Sequence, residues 1–125
     1  MYTANLLAIL FTHWVSDFLM QTRWQADNKS KNLWALTSHV LNYAIGFFLL
    51  LGTWLMVMKP TENTFYCVVG YVFINAVFHW ITDFFTSKAT SYLWRQKDVH
   101  GFFCMIGFDQ FVHAFCLIVT YNLVF

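Results

Sequence analysis

Four apolar stretches separated by three short polar runs set the pattern of this 125-residue chain. The apolar stretches cover about residues 3–20, 33–58, 64–85 and 101–125. Each is close to the roughly 20 residues that carry a helix across a bilayer. The polar runs cover residues 21–31, 59–63 and 86–100, and Pro60, the only proline, stops a helix in the middle one. In lipid a helix satisfies its own backbone polar groups, so the pattern predicts an all-α integral membrane protein. A single domain over residues 1–125, folded as a four-helix bundle, is expected.

The polar positions inside the apolar stretches are not scattered. His13-Trp14-Val15-Ser16-Asp17-Phe18 and His79-Trp80-Ile81-Thr82-Asp83-Phe84 match by identity or close similarity at six positions, 66 residues apart. Each puts an imidazole and a carboxylate at i and i+4, on one helix face. Asp109 and His113 repeat that spacing in reverse order. The first and third stretches carry the same motif, which predicts two related hairpins, about residues 1–60 and 64–125, with a pseudo-twofold axis along the membrane normal.

Composition sharpens the membrane reading. The chain is 59% hydrophobic and 10% charged, against about 25% charged in ordinary soluble domains. A domain this small could not hide so much apolar surface in one core. The net charge is +1, and there is no basic run or phosphate-binding fingerprint. Nucleic acid is therefore not an expected partner; the lipid bilayer is, and a homo-oligomer is a further expectation. The amino-terminal stretch lacks the charged region and cleavage site of a signal peptide, so it is expected to remain as a span. Cys67, Cys104 and Cys116 have neither metal-type spacing nor an even count, and read as apolar thiols.

Arg23, Lys29 and Lys31 lie in the first connection, and Lys88, Arg95 and Lys97 in the third, whereas the middle one has Lys59 offset by Glu62. The positive-inside rule places the first and third connections in the cytoplasm and both termini in the periplasm. Trp24, Trp34 and Trp94 flank the basic connections as an interfacial belt would, with Trp54 marking the opposite surface. In this topology His13, Asp17, His39, His79, Asp83, Asp109 and His113 share the cytoplasmic half, while the outer half reads as almost uniformly apolar.

Ionisable side chains in a membrane segment mark a functional site by default. Three carboxylates crowded in a low dielectric need protons, cations or a metal. Imidazole and carboxylate are ligands for Zn first, and for Mn, Fe or Ni. All seven residues are candidate ligands, and Asp17, Asp83 and Asp109 are also candidate catalytic groups. Gln21, four residues after Asp17, and Gln110, beside Asp109, are candidates to hold substrate or orient ligands. Ser16 and Thr82 read as helix-packing hydroxyls, and His100 as an interfacial histidine.

The ordered set His13-x-x-x-Asp17-Phe18-x-x-Gln21, Lys29 to Lys31, His39, His79-x-x-x-Asp83 and Asp109-Gln110-x-x-His113 spans nearly the whole chain. It resembles an uncharacterised family of small multi-spanning membrane proteins from bacteria and their phages, a domain of unknown function. The resemblance implies a bacterial or phage origin and an inner-membrane location, and brings no activity. In style, without alignable sequence, the set is also similar to membrane-bound metal-dependent hydrolases.

Three functions compete at this level. The first is a metal-dependent hydrolase at the cytoplasmic leaflet, in which bound metal activates water and a spare carboxylate acts as base. The second is a proton, cation or metal channel or transporter using the same cluster. The third is a non-catalytic membrane interaction protein. An apolar outer half closes one side of the site and favours the first.

Overall fold

The structure, a computed structural model, describes residues 3–125; the first two residues of the expected domain lie outside it. It is all-helical among the described residues. Helix α1 (Thr3–Trp14) continues into a π-helical turn at Val15–Leu19. A short α2 (Arg23–Asn28) follows, then α3 (Leu33–Phe47), a second π-helical turn (Phe48–Gly52) and α4 (Thr53–Met58). Two long helices, α5 (Thr64–Arg95) and α6 (Val99–Val124), complete the chain.

Three helical stretches are long and apolar enough to cross a membrane: Leu33–Met58, Thr64–Arg95 and Val99–Val124. Large side chains such as Leu7, Phe11, Ile45, Phe73, Phe111 and Phe115 are exposed around the outside. That is the opposite of a soluble domain, which buries such residues.

The helix ends follow local chemistry. Thr22 and Gln25 form a reciprocal capping box that starts α2 within the first polar run. Asn32 caps α3 by accepting from the backbone N–H groups of Trp34 and Ala35. Helix α5 runs on to Arg95, well past the expected span end at residue 85, so most of the expected third connection is helical. Residues 86–95 contain no glycine or proline. The Thr90 hydroxyl is absorbed along the helix, its Oγ1 donating to Thr86 O at 3.0 Å. Only residues 96–98 join α5 to α6, and Lys97 takes a left-handed backbone (φ 61°) to make that reversal.

One end of the molecule is an apolar core of Ile9, Tyr43, Phe47, Leu51, Leu55, Val68, Tyr71, Val72, Leu117 and Tyr121. It is not uniformly apolar, as the sequence suggested. Asn75 Nδ2 donates to Tyr71 O and to Thr120 Oγ1, each at 2.8 Å. Asn5 Nδ2 donates to Tyr121 Oη at 2.7 Å, and Trp54 Nε1 donates to Asn5 Oδ1 at 3.2 Å. Buried polar groups of this kind tie helices together by hydrogen bonds where the surroundings offer no water. The other end holds the histidines and aspartates.

Candidate metal centre

The π-helical turn delivers the first aspartate. It holds Ser16 and Asp17, both buried, and α3 passes close against it. Gly46 permits that approach: a Cβ there would lie 2.6 Å from Ser16 Oγ and 2.5 Å from Met20 Sδ. Helix α3 brings His39, fully buried, to the same place. Helix α5 supplies His79 and Asp83 from successive turns of one face, each 1% exposed.

These four side chains converge on one point. His39 Nε2 lies 3.1 Å from Asp17 Oδ1, 3.2 Å from His79 Nε2 and 3.4 Å from Asp83 Oδ2. His79 Nε2 lies 3.3 Å from Asp17 Oδ1 and 3.7 Å from Asp83 Oδ2. Tetrahedral zinc has ligand bonds of about 2.0–2.1 Å, which by geometry separates neighbouring ligand atoms by about 3.3–3.4 Å. Five edges of the Asp17, His39, His79 and Asp83 tetrahedron thus fall near the values a bound ion requires. Two imidazole nitrogens 3.2 Å apart, each also facing carboxylate oxygens, make a donor set that suits a cation. These four buried side chains could hold a metal ion.

A second group, Asp17, Asp109 and His113, shares Asp17 with the first. His113 Nε2 lies 3.2 Å from Asp83 Oδ1 and 3.4 Å from Asp109 Oδ1. Asp83 therefore turns one oxygen to each group. Thr86 Oγ1 donates to Asp109 Oδ1 at 2.6 Å, and Gln110 Nε2 donates to Asp109 Oδ2 and Asp17 Oδ2, each at 3.0 Å. His13 belongs to neither group: its Nε2 lies 3.1 Å from Gln110 Oε1 and 3.8 Å from Asp17 Oδ2. The imidazole planes are fixed by stacking. His79 is sandwiched between Tyr43 and His113, with ring centroids 4.1 Å away on both sides.

The first connection contributes a side chain that the sequence offered as one of its basic residues, within the ordered set but without a role. Gln25 of α2 is buried and donates from Nε2 to Ser38 Oγ at 3.3 Å, anchoring α2 to α3. One turn further, Lys29 Nζ donates to Asp83 Oδ2 at 2.7 Å. Burial opposes the Lys29 charge, but the Asp83 and Asp17 carboxylates raise its pKa above the ordinary lysine value. With neutral imidazoles, three aspartates and one lysine leave a formal charge of −2, which one divalent cation neutralises.

A cavity of about 620 Å³ opens from this cluster. Asp17, Asp83, Asp109, Gln110 and Lys29 line it, and so does the half-buried Gln21. Thr86 and Ser87 also line it, and were not singled out from the sequence. Among all seven ligand candidates, His13 is the one the structure holds aside by hydrogen bonding to glutamine. His100 is exposed in the first turn of α6, with Cys104 Sγ 3.5 Å from its Nε2.

Over residues 5–125 the chain matches the family described as "Protein of unknown function (DUF3307)", and it belongs to that family. No curated protein and no solved structure matches it.

Proposed function

We propose that this protein is a membrane-embedded metal-dependent hydrolase, working at the cytoplasmic leaflet of a bacterial inner membrane. The observation that carries the reading is the near-tetrahedral convergence of Asp17, His39, His79 and Asp83 inside the protein. In this reading α1 with its π-helical turn is the fourth span, and the chain is a four-helix bundle of two related hairpins, residues 1–60 and 64–125. Both termini lie in the periplasm, and the exposed Trp24, Trp34 and Trp94 sit at the cytoplasmic interface.

The N2O2 group is a closed ligand set of the kind that holds metal firmly, with Zn first and Mn, Fe or Ni as alternatives. The group of Asp17, Asp109 and His113 adjoins the cavity and would hold a divalent ion there. That ion would supply an activated water, its pKa lowered to about 7. Asp109, reached from the cavity, would ligate the ion through Oδ1, which faces His113, and its Oδ2 would take the proton from water and return it to the leaving oxygen. Gln21 contacts substrate from the cavity wall. His13 acts through Gln110, keeping the amide aimed at both Asp17 and Asp109.

Conduction through the bundle is disfavoured by what lies beyond the cluster. Phe47, Leu51, Leu55, Val68 and Leu117 close the interior there, and the polar groups among them are consumed by one another. The test is metal content by elemental mass spectrometry, on protein purified in mild detergent without chelator or histidine tag. Wild type should carry one to two ions per chain, and His79→Ala and Asp83→Asn should lose them with unchanged helix content. Metal-free wild type that takes up none on reconstitution would remove the hydrolase mechanism.

A further inference from the structure

The cavity has a mixed lining whose parts are sorted. Its floor is the aspartate cluster, and its far end carries Lys31 and Arg95, both exposed. From Asp83 to Arg95 the lining follows α5 for twelve residues, about 18 Å at 1.5 Å per residue. Along that path lie Thr86, Ser87, Thr90 and Ser91, a polar strip on one helix face. The opposing wall is apolar: Phe18, Phe102, Phe103 and Ile106. Phe18 and Phe103 are also exposed, so this wall is continuous with the outer apolar surface of the bundle.

Within the strip, Ser87 is 7% exposed and its Oγ has no hydrogen-bond partner, whereas the neighbouring Thr86 and Thr90 hydroxyls are paired. A buried hydroxyl left unpaired in a cavity wall calls for a polar group from a ligand. The charges say which kind. Asp17, Asp27, Asp83 and Asp109 are set against Lys29, Lys31 and Arg95, so the lining alone repels an anion slightly. One divalent ion on the floor reverses the sign. The lining then offers metal, the Lys29 ammonium and the Ser87 hydroxyl at one end of an apolar wall, which is a recognition set for phosphate attached to a chain.

We propose that the cavity binds a membrane amphiphile with a phosphate headgroup. The phosphate accepts from Ser87 and Lys29 above the metal floor, and the hydrocarbon chain lies along Phe18, Phe102 and Phe103 toward the end that carries Lys31 and Arg95. This rests on the metal reading above and adds the substrate class to it. The amphiphile enters from the lipid side, past Phe18 and Phe103.

The test uses metal-loaded full-length protein in mild detergent, with binding read by native mass spectrometry and metal content measured on the same samples. The probes are a phosphonate analogue of phosphatidic acid, which resists hydrolysis, a diacylglycerol with the same chains, and glycerol 3-phosphate. The phosphonate lipid should bind about tenfold or more tighter than either other probe. Ser87→Ala should weaken it about tenfold and Ser87→Leu abolish it, both with wild-type metal content. Equal binding of diacylglycerol, equal binding of glycerol 3-phosphate, or indifference to both Ser87 variants in metal-loaded protein overturns the substrate class while leaving the metal centre standing. Absence of metal from wild type overturns the centre, and the substrate class with it.

Discussion

The proposed divalent cation would compete with Lys29 for one atom, Asp83 Oδ2, and the competition can be measured. The Lys29 ammonium is 2.7 Å from that oxygen, and His39 and His79 converge on it from the other side at 3.4 and 3.7 Å. Replacing Lys29 with methionine keeps the length of the side chain and deletes the charge. In metal-free protein this strands a carboxylate that is 2% exposed. Breaking a buried pair by removing one partner costs about 3–5 kcal/mol. The Lys29 side chain retains 19% exposure, which screens the pair and reduces the loss to about 2–4 kcal/mol. In metal-bound protein the sign reverses. An ammonium held about 4.5 Å from a dication would be repelled by up to about 7 kcal/mol at an effective dielectric of 20. Lys29 escapes most of that by swinging toward solvent, so the residual penalty is the lost ion pair. Lys29→Met should therefore bind zinc about tenfold or more tightly than wild type, while its chelated form melts roughly 5–15 °C lower. Isothermal titration calorimetry and melting with and without chelator check both halves. The raised Lys29 pKa keeps the pair intact below the ordinary lysine value and dissolves it only as the pH rises through the higher one. The metal-free stability gap should accordingly stay constant from about pH 6 to 9. Metal-free Lys29→Met as stable as wild type, or weaker zinc binding, would refute the competition.

The other expectations concern how the centre is built. His39→Ala and His79→Ala should each lose the tightly held ion, whereas His13→Ala should retain it and reduce turnover, as elemental analysis beside an activity assay would show. Acidification should release metal, because imidazole and carboxylate ligands bind only when deprotonated; dialysis across pH 7 to 4 followed by metal analysis measures it. Gly46→Ala should push α3 away from the turn carrying Asp17, cost about 1–3 kcal/mol and weaken metal binding. Lys97→Gly should stabilise the protein by about 1 kcal/mol, since glycine accepts the left-handed backbone that lysine adopts at a steric cost. Thermal melting reads these last two.

Much of the centre was legible in the sequence because its spacing is helical. The repeated His-x-x-x-Asp and the reversed Asp-x-x-x-His declare shared faces, and depth along each apolar stretch brings them to one level. Spacing within a helix says nothing about rotation between helices, so His13 and His79 looked equivalent. The structure gives His79 the centre and turns His13 to Gln110. Lys29 stood in the ordered set without a role, for another reason: only the capping box that builds α2, and the Gln25–Ser38 bond that docks it, bring the lysine back over Asp83. Residues 86–95 were read as a connection from polarity alone. A threonine that bonds back to its own helix, as Thr90 does, is polar in sequence and helical in fact.

The π-helical turn at Val15–Leu19 changes the phase of the first helix. At 100° per residue, an unbroken α-helix would put Asp17 about 120° around the axis from Asn5. Yet Asn5, Ile9, His13 and Asp17 are all buried. The wider turn winds the aspartate back toward the face its predecessors occupy. Tightening these five residues into regular α-helix, with none removed, would rotate everything before them by roughly 90°. Asn5 would leave Tyr121, and Ile9 would face outward. The local irregularity therefore acts as a clutch between two halves of one helix, one engaged with the apolar core and the other with the histidine–aspartate cluster.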